Sequence, residues 1–252
     1  MSKDLKKLQQ VFEQETKVQD EYFKTGAIKG VESVSDEQKG LFDQRVTAIK
    51  TCIKALIDND YQTIKDNVRK IHIEKFESYT RVSGAENFVS IKLFESDECH
   101  LKLHIYPPKI TGEVEFHTHR FDVISALLEG ELHEIIGKQV SGNDYEVYEI
   151  KWLGPGKTEH VNTGKQISLE VTNRIHKDCV YEIPNTLYHE VENKGFTMTL
   201  CMFLNPKDSA GTFLVEPGTK KNGKDLEQIY QDLNLEEVKQ KGLDVLITKF
   251  KL

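Results

Sequence analysis

The sequence predicts a mainly β protein, an antiparallel barrel or sandwich with helical segments at both ends. Between about residues 77 and 206, apolar and polar residues alternate with a period of two, as in "FVSIKLFE" and "CHLKLHIY". Turn signals such as Pro107-Pro108 and Gly154-Pro155-Gly156 separate these runs. Many short strands with turns between them are typical of sandwiches and barrels.

The first 76 residues have helical rather than strand periodicity. A helix is expected around Leu5–Phe12, and another between Thr63 and Phe76. Between them, a longer apolar face is formed by Leu41, Val46, Ile49, Ile53, Leu56 and Ile57. Each helix has one apolar stripe and needs a surface against which to bury it. We therefore expect residues 1–76 to be a helical extension packed on the barrel.

The barrel itself is assigned to residues 77–206. Its first two strands are predicted to form a hairpin through residues 96–98. Further strands are expected in "VISALLEGELHEIIG", "YEVYEIKWLG", "ISLEVTNRI", "VYEIP" and "TMTLCMFLN". After Pro206 the sequence is loop-like, and "DLEQIYQDL" and "LEEVKQKGLDVLITKF" then predict helices. Residues 207–252 are therefore expected to form a C-terminal loop and helical tail.

Composition excludes several classes of protein. A formal net charge of -7 over 252 residues argues against a nucleic-acid partner, which needs a basic face. No apolar run approaches the roughly 20 residues that cross a bilayer, and no apolar segment follows the N-terminal lysines. We therefore expect a cytoplasmic protein without a membrane partner. Its four scattered cysteines include no CxxC pair, and they are expected to be free thiols, mostly buried.

Two histidines, His117 and His119, stand one residue apart before an apolar run. Residues i and i+2 of a strand point to the same face, about 6 to 7 Å apart. This geometry suits two ligands of one metal ion, and His189 is the best candidate for a third. No comparable constellation is found around His72, His100, His160 or His176.

The surrounding motifs resemble those of the cupin superfamily. Its first motif has a glycine, His-x-His and a final glycine; here His117 and His119 are followed after ten residues by Gly130, while Gly112 is one residue too close. Its second motif, Pro-x4-His-x3-Asn, matches Pro184, His189 and Asn193. The resemblance covers residues 77–206. It implies a small antiparallel β-barrel, a double-stranded β-helix, with a metal held by His117, His119 and His189.

One departure from the cupin motif affects the expected ligand set. The glutamate ligand of the family would fall at Val123 or Ile124, and Asp122 is one residue out of register. This leaves three neutral nitrogens, a set that in this superfamily is typical of thiol dioxygenases, which use Fe(II) and O2. Imidazole alone also suits other metals, so Zn, Ni or Mn remain alternatives to Fe(II).

The second motif is also similar to that of cysteine dioxygenases. Thr199, Cys201 and Phe203 occupy the places of the serine, histidine and tyrosine of that family's next strand. Two of the three polar groups are thus replaced. Lys92 lies at about the distance of the family's carboxylate-binding arginine, although lysine has no bidentate fork. Lys92, Arg120 and Cys201 are the candidates for substrate anchoring or for supporting the site.

Three functions are therefore considered. The first is a mononuclear non-haem Fe(II) oxygenase that acts on a small substrate, such as a thiol, with O2. The second is an isomerase or hydrolase that uses another divalent metal as a Lewis acid. The third is a cupin that binds a small ligand without catalysis. A homodimer is also expected from the family.

Overall fold

The computed structural model describes residues 10, 35–71, 81–84, 88–95, 99–108, 116–154, 157–204, 212–217 and 235–250. The helix predicted in "DLEQIYQDL" and the motif glycine Gly112 lie outside these residues, as does the helix predicted around Leu5–Phe12 except for residue 10. Three helices are described: α1 (Asp36–Ile57), α2 (Tyr61–Val68), continued by a 3-10 turn (Arg69–Ile71), and α3 (Leu235–Phe250). The ten strands are β1 (Arg81–Gly84), β2 (Val89–Glu95), β3 (Cys99–Tyr106), β4 (Asp122–Glu129), β5 (Leu132–Gly154), β6 (Lys157–His176), β7 (Val180–Ile183), β8 (Tyr188–Asn193), β9 (Thr197–Leu204) and β10 (Thr212–Pro217).

The strands form two antiparallel sheets. The first has the order β1-β2-β3-β9-β4-β7. In the second, β5 lies between β6 and β8 near its start and pairs with β10 near its end. An isolated bridge between His117 and His189 extends this sheet beyond β8.

The pairing is nested, which defines the fold. The innermost pair is the hairpin β5–β6; around it lie β4–β7, then the His117 bridge with β8, then β3–β9. Successive pairs alternate between the two sheets, as in a long hairpin rolled upon itself. This is the double-sheet jelly roll of which cupins are one group. The mainly β, cupin-type fold predicted from the sequence is confirmed.

Alternation along the strands gives the first sheet two different faces. Leu101, Leu103 and Ile105 of β3 are buried in one cluster with Ile49 and Leu56 of α1. Each such side chain contributes about 1.5–3 kcal/mol when it is buried. The helical stripe predicted from the sequence thus packs against the sheet, while the division of the chain into three segments remains a prediction.

The two N-terminal helices are separated by a tight turn. Asn59 has a positive φ of 58°, which ends α1. Asp60 then caps α2, because its side chain accepts a hydrogen bond from the Thr63 amide at 3.1 Å. The second helix therefore starts two residues before the predicted Thr63. No helix in the described part of the chain is both long and apolar enough to traverse a bilayer.

The central hairpin is longer than the sequence indicated. "VISALLEGELHEIIG" and "YEVYEIKWLG" are predicted as separate runs, but the structure divides the first between β4 and β5, and the second also belongs to the 23-residue β5. The ladder continues because its register shifts: Val140 pairs with Ser168 and Tyr145 with the next partner, Ile167. Residues 141–144 lie between these two pairs and form an irregularity in the ladder. Their composition is turn-like, but they do not end the strand.

Gly130, the final glycine of the first motif, allows the connection between β4 and β5. Its φ is +83°, and a Cβ there would meet the carbonyl oxygen of Phe196 and the side chain of Thr197. Only glycine adopts this conformation readily at such a close backbone approach. The final glycine of the motif is thus required by the backbone conformation and the close packing at this connection.

Candidate metal centre

The main chain sets the first and third histidines opposite each other. The His117 amide donates to the His189 carbonyl at 3.0 Å, and the His189 amide donates to the His117 carbonyl at 2.8 Å. Directly opposed residues of an antiparallel pair project to the same side. The predicted meeting of His189 with the His117 pair is therefore confirmed.

The three rings converge. Their centroids are 4.9 Å apart for His117 and His119, 4.6 Å for His117 and His189, and 4.9 Å for His119 and His189. One nitrogen from each ring lies within 4.8 Å of the others. The Nε2 atoms of His119 and His189 are 2.9 Å apart, close to the roughly 3.0 Å between neighbouring ligands that each bond a metal at about 2.1 Å. The donor set therefore fits one transition-metal ion.

The surroundings of His119 favour its neutral imidazole. Desolvation, followed by the neighbouring rings of His117 and His189, holds the pKa of His119 well below its usual value. A metal binds the neutral ring, whose nitrogen lone pair is free. His119 is thus a donor that does not have to lose a proton near neutral pH.

A buried carboxylate supports the third ring from behind. Glu134 on β5 is 0% exposed, and the Nδ1–H of His189 donates to its Oε1 at 2.9 Å. The Nε2–H of His176 donates to the other oxygen, Oε2, at 2.7 Å. Burial would raise the pKa of Glu134, but the hydrogen bonds from His176 and His189 outweigh it and lower the pKa to about 2. An ionised Glu134 fixes the tautomer of His189, so that its Nε2 lone pair faces the other histidines.

Neither Glu134 nor His176 is among the site residues predicted from the sequence. The signal for Glu134 was the alternation Leu132, Glu134, Ile136, which places a carboxylate on the buried face of β5. His176, to which no constellation was assigned, is in fact directly opposite Leu132 at the end of β6. Its ring is stacked on Tyr181 with centroids 3.8 Å apart. The contact between His176 and Glu134 depends on the register of β6 against β5, which the local sequence does not specify.

Among the residues that the structure describes, no carboxylate takes the place of the missing glutamate ligand. Val123 is buried with Ile183 and Phe203, and Ile124 packs on the opposite face of the sheet with the helical cluster. Asp122 accepts a hydrogen bond from the Asn185 amide at 3.0 Å. Within the described residues, the group of possible metal ligands consists of the three histidines alone.

One wall near the centre is lined by small neutral groups. Cys201 is 5% exposed, and its Sγ lies 3.3 Å from Ser125 Oγ, 3.2 Å from Thr199 Oγ1 and 3.7 Å from His104 Nδ1. Burial raises the pKa of Cys201, although the two hydroxyls oppose this effect. The thiol is therefore protonated at neutral pH. The cysteines in the described part of the chain are free, as expected.

Two lysines lie on the barrel face of the first sheet. Lys92 of β2, predicted as an anchor, is directly opposite Lys102 of β3. The Lys102 Nζ lies 4.6 Å from the centroid of Phe203, whose ring is 5.7 Å from that of His119. Lys102 is not among the site residues predicted from the sequence. Arg120 is exposed, and its guanidinium lies over Phe121 at 5.1 Å.

This chain is similar, at low sequence identity, to several solved structures. Neither the protein-family models nor the curated proteins compared with this chain give a match. Among solved structures, an RmlC-like cupin from Shewanella frigidimarina is 13% identical, with a TM-score of 0.30 over 53% of this chain and 90% of that chain. The DMSP lyase DddQ from Ruegeria pomeroyi is 14% identical, with a TM-score of 0.36 over 60% of this chain and 66% of that chain. A hydroquinone 1,2-dioxygenase from Sphingomonas is 6% identical, with a TM-score of 0.31 over 46% of this chain and 65% of that chain.

The fold is evident from the strand order itself. The nested pairs and the site they enclose agree with the motifs around His117 and His189. The chain is thus a double-sheet jelly roll of the cupin type, with three histidines grouped between its sheets.

Proposed function

We propose that this protein is an enzyme in which His117, His119 and His189 hold one divalent transition-metal ion. The observation that carries the proposal is the convergence of one nitrogen from each ring within 4.8 Å. A structural metal site is closed by a fourth protein ligand, whereas a catalytic one keeps a position open. No fourth His, Cys, Asp or Glu joins the group in the described part of the chain, which supports a catalytic site.

The metal that we propose is Fe(II), with O2 and a small substrate as reactants. The three-histidine set and the sequence from His189 to Asn193, which resemble those of thiol dioxygenases, support this choice. When bound, the ion supplies a Lewis acid that orients the substrate beside O2. Zn, Ni or Mn would instead support hydrolysis or isomerisation, which metal analysis and oxygen uptake distinguish from oxygenation.

The residues around the centre have distinct proposed roles. Glu134 holds the ring of His189 through the 2.9 Å hydrogen bond, and His176 holds Glu134. Phe203, buried beside His119, excludes water from that side. The protonated Cys201 forms a neutral wall rather than a nucleophile, because burial raises its pKa.

The charge near the site favours an anionic substrate. The ammonium of Lys102 lies against Phe203, next to His119, and desolvation together with this charge lowers the pKa of His104. Lys92 on the neighbouring strand adds a second positive charge to the same face. A lysine balances a carboxylate as a point charge. We therefore propose that Lys102, assisted by Lys92, binds a carboxylate of the substrate.

Metal analysis and oxygen consumption test this proposal together. The protein is purified without added metal, its metals are quantified, and it is loaded anaerobically with Fe(II). Oxygen uptake is then measured with thiols that carry a carboxylate and with thiols that carry only an amine. We expect uptake that requires both Fe(II) and a carboxylate-bearing substrate. Tightly bound zinc without oxygen uptake would contradict the oxygenase, and uptake restricted to amine thiols would contradict the role of Lys102.

A pair of histidine variants tests the ligand assignment. His189→Ala should lose metal, whereas His133→Ala should retain it. His133 is a matched control because it lies on the same sheet but hydrogen-bonds to Glu131 at 2.6 Å, away from the centre. Circular dichroism then checks that both variants are folded. Equal metal content in the two variants would show that His189 is not a ligand.

A further inference from the structure

Two of the three converging histidines lie on a segment that has little regular structure of its own. Residues 116–121, here called the ligand segment, form no strand, although His117 makes an isolated bridge with His189. A backbone that is held at one point keeps conformational freedom, and ordering it on binding costs free energy. A second anchor on the ligand segment would therefore affect the positions of both His117 and His119.

Thr118, the residue between the two histidines, provides such an anchor. Its amide donates to the carbonyl of Phe213 at 2.8 Å, and the Phe213 amide donates to the Thr118 hydroxyl oxygen, Oγ1, at 3.0 Å. Thr118 is 5% exposed. Because neighbouring residues of an extended backbone point to opposite sides, the Thr118 side chain faces away from the rings of His117 and His119. The hydroxyl thus acts from behind these two rings.

The Thr118 hydroxyl takes the place of a main-chain group. In a regular antiparallel pair, two opposed residues exchange both amide–carbonyl hydrogen bonds, as His117 and His189 do. Between Thr118 and Phe213, one of these bonds ends on Oγ1 instead of on the Thr118 carbonyl. This contact requires a side-chain hydroxyl on the β-carbon, which only threonine and serine carry.

Phe213 belongs to a strand that is held independently of the histidines. It lies on β10, which follows the loop-like sequence after Pro206 and pairs with the end of β5. The Phe213 side chain packs against a buried cluster that contains Tyr188, the residue directly before His189. The strand β10 thus supports the ligand segment through hydrogen bonds and the neighbour of the third histidine through packing.

We propose that Thr118 is a positioning residue for the metal centre, and that its hydroxyl fixes the ligand segment on β10 so that the rings of His117 and His119 are in place before the ion binds. This inference rests on the proposed function, in which both rings are metal ligands. Donors that are already ordered bind more tightly than donors that the ion itself must order. Thr118 therefore acts on metal affinity and ligand geometry through the backbone.

Binding of Co(II), whose visible absorption bands report ligand geometry, tests this role. Thr118→Val keeps the shape of the side chain but removes the acceptor of the Phe213 amide. We expect this variant to bind Co(II) about tenfold more weakly than the wild type, with shifted or weaker bands. Thr118→Ser keeps the hydroxyl and should retain most of the wild-type affinity and the wild-type bands. A serine variant as weak as the valine variant would overturn the proposal.

Thr163→Val is the matched control for the loss of a threonine hydroxyl. Thr163 is also partly buried in the second sheet, but its hydroxyl donates to the Val147 carbonyl of β5 at 2.8 Å and not to the ligand segment. This variant should lose a similar amount of stability, measured by thermal melting, while its Co(II) affinity and absorption bands stay as in the wild type. Equal effects of Thr118→Val and Thr163→Val on Co(II) binding would reduce Thr118 to a purely structural residue and overturn the proposal.

Amide hydrogen exchange of the metal-free protein separates this inference from the proposed function. Residues 116–121 should exchange faster in Thr118→Val than in the wild type or in Thr163→Val, because the ligand segment has lost one of its anchors. Unchanged exchange in Thr118→Val, together with normal Co(II) binding by the wild type, would overturn this inference alone. A wild type that binds no Co(II) would overturn the proposed function, and this inference with it.

Discussion

His189 and Glu134 are joined by a 2.9 Å hydrogen bond inside the roll, and neither is more than 4% exposed. The bond couples a proposed metal ligand to a carboxylate that contacts no solvent. Removing the charge leaves the ring of His189 less firmly oriented and its nitrogen less basic.

We expect Glu134→Gln to weaken metal binding by about 10- to 100-fold, a range typical of residues that support metal ligands. Competition with a chelator of known affinity measures the change. Glu131→Gln is the control, since the Glu131 carboxylate also binds a histidine, His133 at 2.6 Å, but is partly exposed. Equal affinity of the two variants would remove Glu134 from the site.

We expect Gly130→Ala to destabilise the fold more than Gly164→Ala. Both glycines have positive φ, +83° and +71°, so alanine costs roughly 1–2 kcal/mol at either position. At Gly130 a Cβ also meets the backbone of Phe196 and Thr197, whereas nothing lies within 4 Å at Gly164. Urea unfolding of the two variants measures the difference. A similar loss in both would show that the close approach at Gly130 is relieved without cost.

Acid should destabilise the protein through His104. Desolvation, followed by the charge of Lys102, lowers the pKa of His104 to about 3 in the folded state. Below about pH 6.5 the unfolded chain binds a proton that the folded chain rejects until about pH 3. The stabilisation is therefore complete above pH 6.5 and is lost as the pH falls toward 3, by at most about 1.4 kcal/mol per pH unit.

The variant His104→Phe isolates this contribution. The ring of His104 lies 4.5 Å from that of Phe88, so an aromatic replacement suits the surroundings. Urea unfolding at pH 7 and pH 5 should show a smaller loss of stability for the variant than for the wild type. Identical losses would mean that His104 is not held neutral in the folded protein.

Substrate kinetics should distinguish the three basic side chains near the site. Lys102→Met should raise KM about tenfold or more for a carboxylate-bearing substrate, because a charge-assisted hydrogen bond contributes about 1.5–3 kcal/mol. Lys92→Met should have a smaller effect in the same direction. Arg120→Gln should have little effect, since Arg120 is exposed and lies over Phe121. A KM change confined to Arg120→Gln would show that Arg120, and not Lys102, binds the substrate carboxylate.

The sequence indicated much of the fold because local patterns define local structure. The hairpin of β2 and β3, the long helix α1 and the meeting of His189 with the His117 pair followed from periodicity and motif spacing. Residues that depend on long-range register were missed. Glu134 and His176 meet through the pairing of β5 with β6, and Lys102 was overlooked because the strand alone does not say which of its faces meets the barrel.

The nesting of the strands has a consequence for the order of assembly. His119 and His189 are 70 residues apart, and the bridge that unites His117 with His189 closes outside both the β5–β6 hairpin and the β4–β7 pair. Pairing across a short separation costs less chain entropy than pairing across a long one. The histidines are therefore expected to meet only after the β5–β6 and β4–β7 pairs have formed. A cation bound there would stabilise every form in which this bridge has closed over the forms in which it is still open.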